Sequence, residues 1–150
     1  MVVEAADHNV VLVVDDDPNI RRMIVAALKR DGYSFLEAPN GRDALDIMRS
    51  DHPDVVVLDL MMPRVDGFDV LRALRAHPDA REMPVMVLTA DSRSDHHRRC
   101  YELGADDVMT KPFLPDALVR GLSRMLDMSI EDRTVHRADA AEAARDSAFS

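Results

Sequence analysis

Long apolar runs are missing from this sequence of 150 residues, and none approaches the roughly 20 apolar positions a helix needs to cross a bilayer. No membrane association is expected. Cysteine is almost absent: Cys100 alone can form neither an internal disulfide nor a CxxC site, so it is expected as a half-buried helix residue. The first residues, MVVEAADHN, are acidic and lack the basic stretch and apolar core of a secretory leader, which makes a cytoplasmic location the expectation. Positive charge is scarce as well. With 19 Lys and Arg against 28 Asp and Glu, the net charge is -9, which disfavours attraction to phosphate backbones. Direct nucleic-acid binding by this segment is therefore not expected, although a downstream output domain could belong to a longer protein.

What is present is ordinary globular material, 47% hydrophobic and 31% charged, at a length suited to one domain with tails. Short apolar runs alternate with amphipathic stretches, the pattern of strands and helices built around a parallel sheet. Strands are predicted over Asn9 to Val14, Tyr33 to Glu37, Asp54 to Leu58, Pro84 to Thr89 and Asp107 to Thr110. Helices are predicted over Pro18 to Arg30, Gly41 to Ser50, Asp66 to His77, Ser92 to Leu103 and Pro115 to Met128. The uninterrupted DVVVL run belongs at the sheet centre, because a β-branched strand without polar positions needs burial on both faces. Right-handed crossovers put helices on both sides of the sheet, and the expected fold is α/β, a flavodoxin-like doubly wound (βα)5 with five parallel strands in the order 2-1-3-4-5.

Residues 1–8 are expected as a tail, 9–128 as the domain, and 129–150 as an Ala- and charge-rich tail, linker or helical extension. In that last segment only Ile130, Val135 and Phe149 are large and apolar, and a helix without a buried face is marginal in water.

The chemistry concentrates at one edge. In an open parallel sheet, ligands bind beyond the carboxyl ends of the strands where strand order reverses, here between the first and third strands. The first strand runs into Asp15, Asp16 and Asp17, and the third ends at Asp59. If these strands are neighbours, Asp15, Asp16 and Asp59 converge, and several close carboxylates need a compensating cation. An all-oxygen donor set selects a hard ion such as Mg²⁺. Asp17, just ahead of Pro18, suits a helix N-cap instead. Thr89 closes the fourth strand and Lys111 follows the fifth, adding a hydroxyl and an ammonium to the same edge. Together these groups describe a site for phosphoryl transfer.

The stretches VVLVVDDDP, VVVLDLMMPRVDGFDVL, MPVMVLTA and GADDVMTKPF resemble, in order and spacing, the successive motifs of response-regulator receiver domains of the chemotaxis-regulator type, over about residues 9–128. The resemblance implies that Asp59 accepts a phosphoryl group from a phosphohistidine on a sensor histidine kinase or phosphotransfer protein. It implies that Asp16 and Asp59 hold Mg²⁺ directly, Asp15 through water, and that the backbone carbonyl of Met61 completes the protein ligands. Lys111 would pair with phosphoryl oxygens, Thr89 would move its hydroxyl onto them with help from the Ala90 N–H, and the Lys111–Pro112 bond would be cis. Pro63 and Gly67 would shape the loop after Asp59. Pairing of two copies through the fourth helix, fifth strand and fifth helix is a family habit.

Two positions depart from or qualify that pattern. The aromatic residue usual three positions before the lysine is Val108, so the common coupling of threonine to an aromatic rotamer cannot operate here in its usual form, and a constitutive interaction module is the alternative function. Met61 lacks any group to orient a hydrolytic water, so a fairly long-lived phosphoryl group is expected, with Asp91 as a complication. A phosphatase acting on external esters would want a second acid at position 61, and a flavin phosphate would be repelled by the acidic edge. His96 and His97 are adjacent and expected at the surface, and His52 and His77 near helix ends.

Overall fold

The computed structural model describes residues 9–62, 66–78 and 80–148. The expected tail over 1–8, Pro63 and Phe149 lie outside them. Among the described residues, five strands and six helices follow one another as β1 (Val10–Val14), α1 (Pro18–Arg30), β2 (Ser34–Ala38), α2 (Gly41–Asp51), β3 (Val55–Asp59), α3 (Gly67–Ala76), β4 (Val85–Thr89), α4 (Ser94–Glu102), β5 (Asp107–Thr110), α5 (Pro115–Asp127) and α6 (Ile130–Ala148). The strands form one parallel sheet in the order β2-β1-β3-β4-β5, as the pattern predicted, with β3 central and every one of its residues buried.

Strand alternation sorts the core into two layers. Leu12, Val14, Val56, Leu58, Val85 and Val87 meet Ala44 and Met48 of α2, Leu71 and Leu74 of α3, and Cys100 of α4 on one face. Val11, Val13, Val55, Val57, Met86 and Leu88 meet Ile24 and Leu28 of α1 and Leu118 and Leu122 of α5 on the other. Cys100 is fully buried rather than half-buried, and burial pushes its thiol up to about 12.

Boundary shifts have local causes. The Tyr33 N–H donates to Leu28 O at 3.0 Å and so belongs to the end of α1, which moves the start of β2 to Ser34. Asp91 Oδ1 accepts from the Arg93 N–H at 3.0 Å, a turn that delays α4 to Ser94. Asp17 and Asp66 are side-chain N-caps of α1 and α3, accepting from Asn19 N–H and Phe68 N–H. His52 and His77 stand at the C-caps of α2 and α3.

Of the alternatives for the segment after Met128, the structure has the helical one, and the helix packs along α4 instead of standing as a poorly packed tail. Its buried Arg133 and half-buried Arg137, Ala140, Ala141 and Ala144 recur at helical spacing and share one face, while Ile130 and Val135 are exposed. Arginine, not a large apolar side chain, fastens the helix. The buried Asp106 carboxylate accepts from Arg133 Nη1 at 3.2 Å and Arg137 Nη1 at 2.6 Å through Oδ1, and from Arg75 Nη2 at 3.0 Å and the Val85 N–H at 2.8 Å through Oδ2. That uses the four acceptor positions of a carboxylate. The surplus positive charge is met by backbone carbonyls: Arg75 also donates to Gly104 and Met83, and Arg133 to Glu82. Among the described residues, no helix is long and apolar enough to cross a membrane.

Candidate functional site

Register places the chemistry. Val14 pairs with Leu58, so the residues that follow, Asp15 and Asp59, leave adjacent strands side by side, and Thr89 pairs with Thr110, the residue before Lys111. Carboxylate oxygens of Asp15, Asp16 and Asp59 lie within 4.8 Å of one another, with Asp15 and Asp59 buried and Asp16 exposed. Lys111 Nζ lies 3.1 Å from Asp15 Oδ2 and 3.3 Å from Asp59 Oδ1. The Lys111–Pro112 peptide is cis.

The electrostatics follow from burial. Asp15 is pushed above the usual carboxylate range by loss of solvent, with the Asp59 charge adding to it, against the Asp17 N–H at 2.9 Å and the Lys111 ammonium. For Lys111 burial works against the charge, but the carboxylates of Asp59 and Asp15 outweigh it and the ammonium is held more firmly than usual. Three carboxylates against one ammonium leave net negative charge at an oxygen-only cluster, which suits a hard divalent cation.

The loop after β3 is drawn close to the carboxylates. Asp59 Oδ1 accepts from the Met61 N–H at 3.1 Å, while the Met61 side chain is 67% exposed and brings no functional group to the site. A Cβ on Gly67 would overlap the Leu60 backbone and stand 2.9 Å from Asp59 O, so only glycine lets the first turn of α3 sit against the residue after β3.

Thr89 is fully buried at the end of β4, and Ala90 after it is exposed. The Thr89 hydroxyl accepts from the Asp91 N–H at 3.1 Å and lies 3.0 Å from His96 Nε2. Asp91 itself is gripped by Arg93, which holds its carboxyl well below the usual range. The histidines correct the sequence-based expectation: the His96 side chain is only 13% exposed, edge-on to Phe68 at 5.5 Å, and His97 Nε2 lies 2.9 Å from Asp91 O and 3.3 Å from Thr110 Oγ1. Composition gave no hint of this: α4 begins five residues after the end of β4, and its first turn brings the His96 ring back to Thr89. Val108 is partly buried among the apolar residues of the α2, α3 and α4 face and offers no polar group.

Asp15, Asp16, Asp59 and Lys111 thus share one pocket, with Thr89 and Ala90 at the end of the adjacent strand. Residues 11–123 match the family model described as "Response regulator receiver domain". The chain is 42% identical over 122 residues to response regulator MprA of Mycolicibacterium vanbaalenii, covering 81% of this chain and 52% of that one. It spans about half the length of the curated relatives it matches. Among solved structures, the chemotaxis response regulator CheY4 of Vibrio cholerae is 31% identical with a TM-score of 0.75, over 79% of this chain and 98% of that one. The BeF3-activated receiver domain of DrrB, a Thermotoga maritima OmpR/PhoB homolog, is 31% identical with a TM-score of 0.73, over 81% and 99%. Fold, strand-end carboxylates and family model agree on one assignment: this chain belongs to the response-regulator receiver family of two-component signalling.

Proposed function

We propose that the chain takes a phosphoryl group onto Asp59 from a phosphohistidine on a sensor histidine kinase or phosphotransfer protein, and that the acyl phosphate switches its protein contacts. The observation that carries this is the meeting of the buried Asp59 carboxylate with Asp15, Asp16 and Lys111 at one strand edge. A carboxylate oxygen of Asp59 attacks phosphorus, the P–N bond breaks, and the donor imidazole nitrogen leaves with the bonding pair and takes a proton from solvent. Asp16 and Asp59 would hold Mg²⁺ directly, Asp15 at one remove, and the Met61 carbonyl would complete the protein ligands. When bound, the ion offsets charge on the phosphoryl oxygens and the carboxylates. Lys111 pairs with a phosphoryl oxygen, the Thr89 hydroxyl donates to another, and the Ala90 N–H assists.

Loss of the phosphoryl group is slow on this reading, because Met61 offers nothing to orient water and Asp91 is held by Arg93. Residues 9–128 act as the switching unit, in the cytoplasm, and an output domain or protein partner reads the switch. This segment does not itself bind nucleic acid, in keeping with its net charge of -9. Pairing of two copies through α4, β5 and α5 would meet α6 already lying along α4. Light scattering of the beryllofluoride-loaded chain that finds only monomer would set such pairing aside.

Intact-mass measurement after incubation with acetyl phosphate and Mg²⁺ tests the central step. One phosphoryl adduct is expected, absent from Asp59→Ala and from chelated samples. A folded protein with no adduct would leave a constitutive interaction module as the better reading.

A further inference from the structure

Thr89 and His96 form a pair that the acceptor chemistry does not by itself require. Thr89 is fully buried, and a buried hydroxyl proton needs an acceptor. One lone pair on Oγ1 already receives the Asp91 N–H, and the remaining contact is His96 Nε2 at 3.0 Å. The two possible directions differ in consequence. With the imidazole proton on Nδ1, Nε2 carries a lone pair and takes the threonine proton. With a proton on Nε2, the ring donates and the threonine proton is left over.

The surroundings select the first direction. Nδ1 faces the Asp91 carboxylate at 3.7 Å, which favours a proton on that nitrogen. Burial also disfavours the doubly protonated ring. The ring is held edge-on against Phe68 of α3, a core residue that also carries the Arg99 guanidinium at 4.1 Å from its centroid. Val108, in the position where an aromatic would be expected, has no polar group with which to follow the hydroxyl.

We propose that His96 is a positioning residue for Thr89: its neutral Nε2 holds the threonine proton in the unphosphorylated chain and gives it up when a phosphoryl group on Asp59 competes for it. This rests on the acceptor role proposed for Asp59. One proton serves two acceptors in turn, so the event at β4 is felt directly on the first turn of α4. Removing the histidine acceptor leaves the buried hydroxyl unsatisfied only in the unphosphorylated state and shifts the balance toward the loaded one.

Nitrogen NMR of the full ¹⁵N-labelled chain, with and without beryllofluoride and Mg²⁺, reads this directly. In the free chain, His96 Nε2 should be the unprotonated, hydrogen-bonded nitrogen and Nδ1 the protonated one. Loading should shift Nε2 to the value of a ring without that bond. His96→Phe, which keeps the edge-on packing but cannot accept, should tighten beryllofluoride binding by about three- to tenfold, the ratio equivalent to one net hydrogen bond. His96→Gln, with a carbonyl acceptor, should stay nearer the wild type. A proton on Nε2 in the free chain, or an Nε2 signal unmoved by bound beryllofluoride, would overturn the proposal without recourse to any variant. The acetyl phosphate mass spectrum separates the two levels: no adduct overturns the acceptor reading and this inference with it, whereas an adduct with an unmoved Nε2 overturns the inference alone.

Discussion

The ammonium of Lys111 stands between two buried carboxylates, 3.1 Å from Asp15 Oδ2 and 3.3 Å from Asp59 Oδ1. One cation shared by a cluster of three acids leaves repulsion unrelieved when no divalent ion is bound.

Asp59→Asn should therefore stabilise the metal-free protein, by about 1 kcal/mol. The advantage should disappear in Mg²⁺, because the wild-type cluster then gains its missing positive charge. Urea denaturation of both proteins in chelator and in Mg²⁺ checks this. A destabilised variant in chelator would mean that Lys111 already balances the cluster.

Gly67→Ala would press a methyl group into the Leu60 backbone and against Asp59 O. Because neither partner is a flexible side-chain end, the loop has to move, with a stability loss of about 1–3 kcal/mol. Phosphoryl acceptance should fall by about tenfold or more, since small misplacements of a reacting group carry large rate penalties. Initial rates of adduct formation from acetyl phosphate, set beside the urea midpoint, distinguish displacement of Asp59 from simple unfolding.

Asp106→Ala would leave Arg75, Arg133 and Arg137 around an empty centre. Breaking one member of a buried ionic group costs about 3–5 kcal/mol, and α6 should be the first element to loosen. Hydrogen exchange across residues 130–147 is expected to accelerate well beyond that of β1 and β3. Equal acceleration everywhere would mean that the cluster supports the whole fold rather than the docking of one helix.

Acidification should weaken the fold through His96. Burial lowers the folded-state pKa of this ring below its ordinary 6.5, opposed more weakly by Asp91 and Asp95 and assisted by His97 and Arg93. The unfolded chain then binds more protons below that value, so the stability His96 contributes is complete above about pH 6.5 and is lost as pH falls through it. Asp91, held down by Arg93, stays ionised throughout this window. Denaturation at pH 7.5 and 5.5 should show a steeper loss for the wild type than for His96→Phe.

Most of the architecture could be read from the residues because it rests on apolar periodicity. The DVVVL run announced the central strand, and the carboxylates at the ends of β1 and β3 announced the pocket once those strands were taken as neighbours. Two features escaped. Helix α6 docks through Arg133, Arg137 and alanines, and a search for large apolar side chains passes over such a face, because the partner that makes arginine burial tolerable, Asp106, lies far away in sequence. His96 escaped because adjacent histidines on a polar helix resemble solvated residues, and only the placement of α4 against β4 turns one ring inward.

Helix α4 has the Thr89 contact at its beginning and α6 along its length. Thermodynamic linkage makes any dependence between those two neighbours reciprocal. If loading Asp59 alters the hold of α6 on α4, then a molecule that grips or lifts α6 alters the affinity for the phosphoryl group by the same factor. The last helix would then be an input to this switch as much as an output from it.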